Sequence, residues 1–459
     1  MERGFLGTTI LEGQGTWLEG IDKRTYWVPP AHLLLQAVWY KLFGFSLFSL
    51  RSLSVLWGAV ALTAFWALLR KLSGRSGLAL LAAAILAVDT RFSLYSAIGR
   101  MDIMCAALGF CSWSAYLHLK EGSFRCAIIV SHLLAALSCL THPCGVLYAG
   151  GLLILQLLRD REHLGWREYC LAAAPYAVVS AGWGAYILQA PAVFVAQFTG
   201  NISGIASEFV GSSRWSGLLA PWTGIKREYF LRYGLTFGRY EAGFTLFRLH
   251  LLLLAVYTSS VVGALAVRAI RREPGNRELL LLGSWVFLAM SLLDGLKVVS
   301  YLVHSLPFCA ALVAVSVLHL NARLRPAPRR GMIAVLLVLG TLEVATSIHF
   351  SITRVGARRY EAAVAFLRQH AAPPAKIAGG AELAFALGFG ANLIDDLRLG
   401  YYSGREPDFI AANPVYQGWF DLSRSRDPKV HAYTRRLLES RFRIAFRNPS
   451  YTIYQRLGP

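Results

Sequence analysis

Residues 52–69 read SLSVLWGAVALTAFWALL, residues 77–95 read GLALLAAAILAVDTRFSLY, and residues 103–118 read IMCAALGFCSWSAYLH. Each is a long apolar run without the every-second-residue alternation of a barrel strand, so each reads as a membrane-spanning helix. The loops between them are short and charged, with Arg70, Lys71 and Arg75 in the first and Arg100 in the second. The pattern repeats along the chain. Residues 126–140, 145–158, 169–188, 249–270, 279–293, 298–320 and 332–352 bring the expected spans to ten. Several are shorter than the roughly 20 residues of a perpendicular span.

Composition agrees. Of 459 residues, 55% are hydrophobic and only 16% are charged, and mean hydropathy is +0.46. A soluble domain carries about a quarter charged residues, so a purely soluble, disordered or coiled-coil chain is excluded. The net charge of +20 would suggest nucleic acid in a soluble protein. Here the basic residues sit in short loops, where they set topology, and no basic stripe is interleaved with aromatics in a soluble segment. Nucleic acid is therefore not an expected partner; anionic lipids and phosphate-bearing ligands are. The seven cysteines, Cys105, Cys111, Cys126, Cys139, Cys144, Cys170 and Cys309, form no CxxC or Cys/His spacing and read as small hydrophobes. No Walker A, GxGxxG, HExxH or GxSxG motif occurs, and the glycine-bearing stretch 380–390 reads as packing.

Loop charge sets orientation. One set of loops holds Arg70, Lys71, Arg75, Lys120, Arg125, Arg159, Arg161, Arg167 and the arginines of 268–277 and 323–330; the alternate set holds Arg91, Arg100 and Lys297. The first set faces the cytoplasm by the positive-inside rule. Three extracytoplasmic pieces result. The first is 1–51, with an apolar helix at 31–43 that is too short to span and lies along the interface. The second is the aromatic loop 189–248 within the transmembrane region 52–352. The third is 355–459, whose short strands at 376–378, 392–394 and 408–411, helices at 360–370 and 429–439, and hairpin across Asn448-Pro449-Ser450 read as a small α/β domain.

Polar residues at the extracytoplasmic span ends carry the functional signal. Asp102 opens the third span. It serves either as a helix N-cap or as a carboxylate in an outward cavity, with Arg100 beside it for a phosphate. His142, in Thr141-His142-Pro143, breaks two spans and is either an interface residue or a donor to a phosphate oxygen. Lys297 and Tyr301 precede Pro307. They read either as a snorkelling pair at the interface or as a cation and hydroxyl for a lipid phosphate. Arg51 is an interface anchor or a phosphate contact.

In order and spacing these residues resemble the GT-C superfamily of polyprenyl-phosphate-sugar-dependent glycosyltransferases, near the lipid A aminoarabinose transferases and protein O-mannosyltransferases. Glu2, the polar stretch 13–17, Pro29-Pro30, the helix 31–43 and Arg51 match the family's first-loop pattern. Asp102 matches its second acid, and Lys297, Tyr301 and Pro307 match a late Lys-Tyr-Pro pattern. The resemblance implies an all-α polytopic membrane domain of about ten spans with a small extracytoplasmic α/β domain. Met1 stands where the family's first acid would, and the resemblance implies a span preceding Glu2 in the family pattern.

The implied function is transfer of a sugar from a polyprenyl-phosphate donor to an extracytoplasmic hydroxyl on a lipid, glycan or protein, with inversion, in the cytoplasmic (inner) membrane. Glu2 and Asp102 are the implied catalytic carboxylates. Arg51, Arg100, His142, Lys297 and Tyr301 are the implied substrate contacts. No cofactor is called for, and a divalent metal ion is the alternative source of positive charge. Two competing readings are a non-catalytic scaffold that binds polyprenyl lipids and a lipid transporter or flippase. The latter would favour inverted repeats and charges at mid-span.

Overall fold

The structure, a computed structural model, describes residues 6–210, 216–238, 250–353, 355–390 and 392–458. The chain divides into two compact units, one of 28–186 with 214–349 and one of 1–27, 187–213 and 350–459.

The larger unit is helical. Helix α1 (Pro30–Phe43) opens on paired prolines, with Pro29 extended at the cap and Pro30 in the first turn, where a missing N–H costs nothing. Helix α2 (Leu47–Ser73) starts where the Ser46 side chain accepts from Ser49 N, and it ends at Gly74 in the left-handed region. Helices α3 (Ser76–Val88) and α4 (Thr90–Tyr95) occupy the run expected as one span. Asp89 breaks it by accepting from the Arg91 and Phe92 N–H groups and so starting a new helix. Then follow α5 (Met101–Leu119), α6 (Phe124–Thr141), α7 (Gly145–Arg159) and α8 (Trp166–Ile187). Pro221–Arg227, the π-helical Glu228–Gly234, and helices His250–Ala266, Asn276–Leu293 and Leu302–Asn321 also belong to the unit, which ends at His349 within helix Pro326–Thr353.

Each expected span coincides with helix. Among the described residues six helical segments are long and apolar enough to cross a membrane: Leu47–Ser73, Phe124–Thr141, Trp166–Ile187, Asn276–Leu293, Val299–Asn321 and the run that begins at Pro326. Ser76–Val88, Gly145–Arg159 and His250–Ala266 are shorter apolar helices.

Aromatic rings fill the core. Phe110 meets Phe65 at 5.1 Å and Tyr148 at 5.3 Å, edge to face, and Phe308 meets Phe65 at 5.6 Å. Such pairs add about 0.5–1.5 kcal/mol each beyond area burial. Helices α5 and α7 approach closely because Gly109 and Gly151 lack side chains: a Cβ on Gly109 would lie 2.0 Å from the Tyr148 ring, and one on Gly151 would lie 2.1 Å from Trp113. Trp113 Nε1 donates to the Tyr148 carbonyl at 2.8 Å, which pins the same contact.

The break at Asp89 is buried and paired. Arg91, read from sequence as a loop charge, donates to Glu343 Oε2 (2.5 Å) and Oε1 (3.2 Å), and Tyr257 donates to Asp89 Oδ2 (2.8 Å). Buried charges persist only when paired in this way.

The smaller unit holds a five-stranded sheet in the order β2-β1-β3-β5-β4. β1 (Ile377–Gly379) runs parallel to β2 (Leu393–Ile394) and to β3 (Phe409–Ala412). β5 (Thr452–Arg456) is antiparallel to β3 and to β4 (Phe442–Arg447). Helices Val355–His370, Pro414–Arg426 and Pro428–Arg441 accompany the sheet. The expected α/β domain is therefore present. Residues of the first loop join it through a bridge between Leu11 and Asp395.

Candidate functional site at the head of α5

Gly99 sets the geometry. Its φ is +78°, and a Cβ there would lie 2.4 Å from Leu50 Cγ of α2, so the turn needs glycine. Arg100 leaves the turn extended, and α5 begins at Met101. Asp102 is not the cap: it lies in the first turn, fully buried, where a carboxylate also suits the helix dipole. Arg100 Nε donates to Asp102 Oδ2 at 2.7 Å. The other oxygen, Oδ1, has no hydrogen-bond partner among the described residues.

His142 ends α6 in an extended conformation, as its place before Pro143 requires. Cys144 N donates to His142 Nδ1 at 3.1 Å, which in the neutral ring assigns the proton to Nε2. Nε2 lies 3.1 Å from the Tyr301 hydroxyl and 3.8 Å from Asp102 Oδ1. Tyr301 closes a short 3-10 turn, Val299–Tyr301, ahead of Leu302–Asn321. One turn on, His304 Nδ1 meets the Tyr148 hydroxyl at 2.8 Å. Four of the residues singled out in the sequence, Arg100, Asp102, His142 and Tyr301, thus converge.

Lys297 belongs to a second, adjoining cluster. Its Nζ lies 3.1 Å from Glu228 Oε2 and donates to the Ser291 carbonyl at 2.8 Å. Burial pushes its ammonium pKa below the ordinary lysine value, against the Glu228 carboxylate, which raises it. The Lys297 φ is +57°, a left-handed conformation that costs a non-glycine residue about 1 kcal/mol or more and that recurs at functional sites. Arg232 joins the clusters. It pairs with Glu228 (2.5 Å) and with Asp294, and its guanidinium lies 5.7 Å from the Tyr301 ring centroid. Arg232 sits in a π-helical turn, Glu228–Gly234.

Lys297, expected as a snorkelling residue or a cation for a lipid phosphate, is buried and paired with Glu228, whereas Arg100, paired with Asp102, has its side chain 42% exposed and is the more accessible of the two cations. Arg51 is exposed on α2, next in chain to the Leu50 side chain that bears on Gly99. Glu2 lies outside the described residues. No group of three or more His, Cys, Asp or Glu suited to a metal ion occurs among the described residues. Sequence reasoning missed Glu228, Arg232 and His304. Only the Glu228/Arg232 spacing of four gave a local signal, and it is shared by ordinary surface pairs.

An apolar cavity of about 350 Å³ in the same unit is lined by Tyr229, Tyr233, Leu254, Phe287, Ser305 and Phe308, among others. Tyr233 donates to Ser305 there at 2.6 Å, one helical turn past Tyr301.

A multi-pass bundle of apolar helices and a small α/β unit make up a GT-C glycosyltransferase fold. The fold is shared with ArnT from Cupriavidus metallidurans bound to undecaprenyl phosphate, at a TM-score of 0.54 and 14% identity over 97% of this chain and 92% of that one. It is shared also with the archaeal oligosaccharyltransferase AglB from Archaeoglobus fulgidus, in complex with an inhibitory peptide and a dolichol-phosphate, at a TM-score of 0.52 and 12% identity over 87% of this chain and 63% of that one. At such identities the likeness is one of fold. Residues 28–185, which carry Arg51, Arg100, Asp102 and His142, match the family described as dolichyl-phosphate-mannose-protein mannosyltransferase. A sequence search of curated proteins finds no match. The resemblance to GT-C glycosyltransferases read from the sequence is borne out in fold and over the matched segment.

Proposed function

We propose that the protein is a membrane glycosyltransferase that moves a sugar from a polyprenyl phosphate to an acceptor hydroxyl on the extracytoplasmic face, with inversion. The observation that carries this reading is the Arg100–Asp102 pair, in which one carboxylate oxygen is tied at 2.7 Å and the other has no hydrogen bond among the described residues, with His142 Nε2 3.8 Å away. A buried carboxylate held in one orientation, with one oxygen not hydrogen-bonded, suits general-base work.

Asp102 Oδ1 accepts the acceptor's hydrogen bond and takes its proton as the new C–O bond forms at the anomeric carbon. The bond from that carbon to the phosphate oxygen breaks on the opposite side, and the phosphate leaves with the electron pair. A single displacement inverts the configuration. Glu2, the first-loop carboxylate that the family resemblance makes the base, is the alternative acceptor of that one proton. The departing phosphate gains charge, which Arg100 and Arg51 offset, and the His142 Nε2–H and Tyr301 hydroxyl are donors for its oxygens. The phosphate needs no proton to leave near neutral pH, since its second pKa is about 6. The 350 Å³ apolar cavity beside Ser305 suits the isoprenoid chain of such a donor. Undecaprenyl and dolichyl phosphates, the lipids in the similar structures, are the carriers to test first.

The testing experiment incubates the protein in proteoliposomes with labelled polyprenyl-phosphate sugars and identifies the labelled product. Asp102→Asn is expected to abolish transfer without affecting membrane insertion. Undiminished transfer by that variant overturns the assignment of the base.

A further inference from the structure

Helix α1 carries two buried polar side chains, His32 and Gln36, each only 6% exposed. They lie one turn apart and so share a face. His32 is held against the turn that opens α5: its ring hydrogen-bonds the Gly99 backbone, and it lies close enough to Asp102 to feel that charge. Its Nδ1 has no hydrogen-bond partner among the described residues. The same holds for both amide atoms of Gln36 and for Asp102 Oδ1. Buried polar atoms in folded proteins are almost always paired, so these atoms call for partners that the described residues do not supply.

The chemistry of these atoms selects the ligand. Burial pushes the His32 pKa down to about 4, so the ring is neutral near pH 7. With its N–H directed to the Gly99 carbonyl, the ring offers Nδ1 as an acceptor. Gln36 adds one acceptor and one two-hydrogen donor, and Asp102 adds another acceptor. A phosphate, which offers acceptors only, is disfavoured in such surroundings. A ring of hydroxyls, which donates and accepts, fits them.

We infer that His32 and Gln36 hold the hydroxyls of the sugar on the lipid-linked donor, beside the carboxylate that takes the acceptor's proton, and so determine which sugar is transferred. The inference rests on the glycosyl-transfer reading of Asp102. In chemical terms these side chains recognise a hydroxyl-bearing ring, which the acceptor also presents if it is a glycan, and kinetics separate the two sources.

The test uses purified full-length protein in nanodiscs and measures binding of undecaprenyl phosphate alone and of undecaprenyl-phosphate sugars, including analogues that lack single hydroxyls. Wild type binds the sugar-bearing carrier more tightly than the bare one. In His32→Phe and Gln36→Leu that advantage falls by roughly tenfold, the scale of a lost hydrogen bond in a polar site, while affinity for bare undecaprenyl phosphate is unchanged. His32→Gln, which keeps an acceptor near the same place, loses less, and it carries the test if His32→Phe fails to fold. In turnover the donor KM rises and the acceptor KM does not.

Equal weakening for both carriers, no weakening for either, or a rise confined to the acceptor KM overturns the assignment. If wild type transfers sugar and the variants bind sugar-bearing carrier as wild type does, only this inference falls. If wild type binds neither carrier, the glycosyltransferase reading falls with it.

Discussion

Arg100 Nε reaches Asp102 Oδ2 at 2.7 Å across a single intervening residue, while His142 Nε2 stands 3.8 Å from the opposite oxygen. One carboxylate is thus flanked by a fixed cation and by a histidine whose proton is directed towards Tyr301.

Removing the negative charge while keeping the shape isolates the chemistry. Asp102→Asn is expected to lower transfer at least about 100-fold, the usual scale of a lost general base, with expression and membrane insertion unchanged. Arg100→Met is expected to weaken binding of bare polyprenyl phosphate, because Arg100 is more accessible than Lys297.

Tyr301→Phe deletes one hydroxyl facing His142 Nε2 and leaves the ring contact at 5.0 Å in place. About a tenfold loss in kcat/KM is expected, with little change in melting temperature. A loss of thermal stability equal to that of a core truncation would instead assign Tyr301 to the fold.

Lys297 and Glu228 form a buried pair, and removing Lys297 leaves Arg232 as the one cation shared by two carboxylates, Glu228 and Asp294, in an apolar setting. Lys297→Met is expected to destabilise the protein by about 3 kcal/mol. Adding Glu228→Gln is expected to restore part of that loss, which denaturation of the single and double variants reads directly. Additive losses would contradict the pairing.

Legibility differs by kind of residue. The spans were plain because apolar composition over about 20 residues is itself the physical cause of insertion. The hairpin was plain too, since Asn448 Oδ1 accepts from Ser450 N and Tyr451 N within three residues. Helix Pro414–Arg426 was overlooked although its cap is local: Asn413 accepts from Val415 N and Tyr416 N. Asp89 escaped notice because apolar residues on both sides hid a helix start. At the site, Arg100, Asp102, His142 and Tyr301 stood out as polar residues at span ends. The pairing of Arg232 with Asp294 joins residues 62 apart, and no spacing in a single sequence announces it.

The smaller unit should show its own pH dependence. Asp395 accepts from Ala381 N (2.9 Å) and from the Tyr416 hydroxyl (3.0 Å), yet burial raises its pKa from 3.8 to about 6. The unfolded chain gives up this proton near 3.8 and the folded unit near 6, so in between the folded state holds more protons. Stability from this group is complete below pH 3.8 and is lost as pH rises through 6, by roughly 2–3 kcal/mol in all. Hydrogen exchange at β1 should follow that slope in wild type and lose it in Asp395→Asn. An unchanged slope in the variant would assign the dependence to another group.

The most direct test of glycosyl transfer is the fate of a labelled undecaprenyl-phosphate sugar in proteoliposomes. Release of free undecaprenyl phosphate, with the label on an acceptor hydroxyl in the inverted anomeric configuration, in wild type and not in Asp102→Asn, is the predicted result. Release of no carrier from any sugar donor, or equal release by the two proteins, would contradict it.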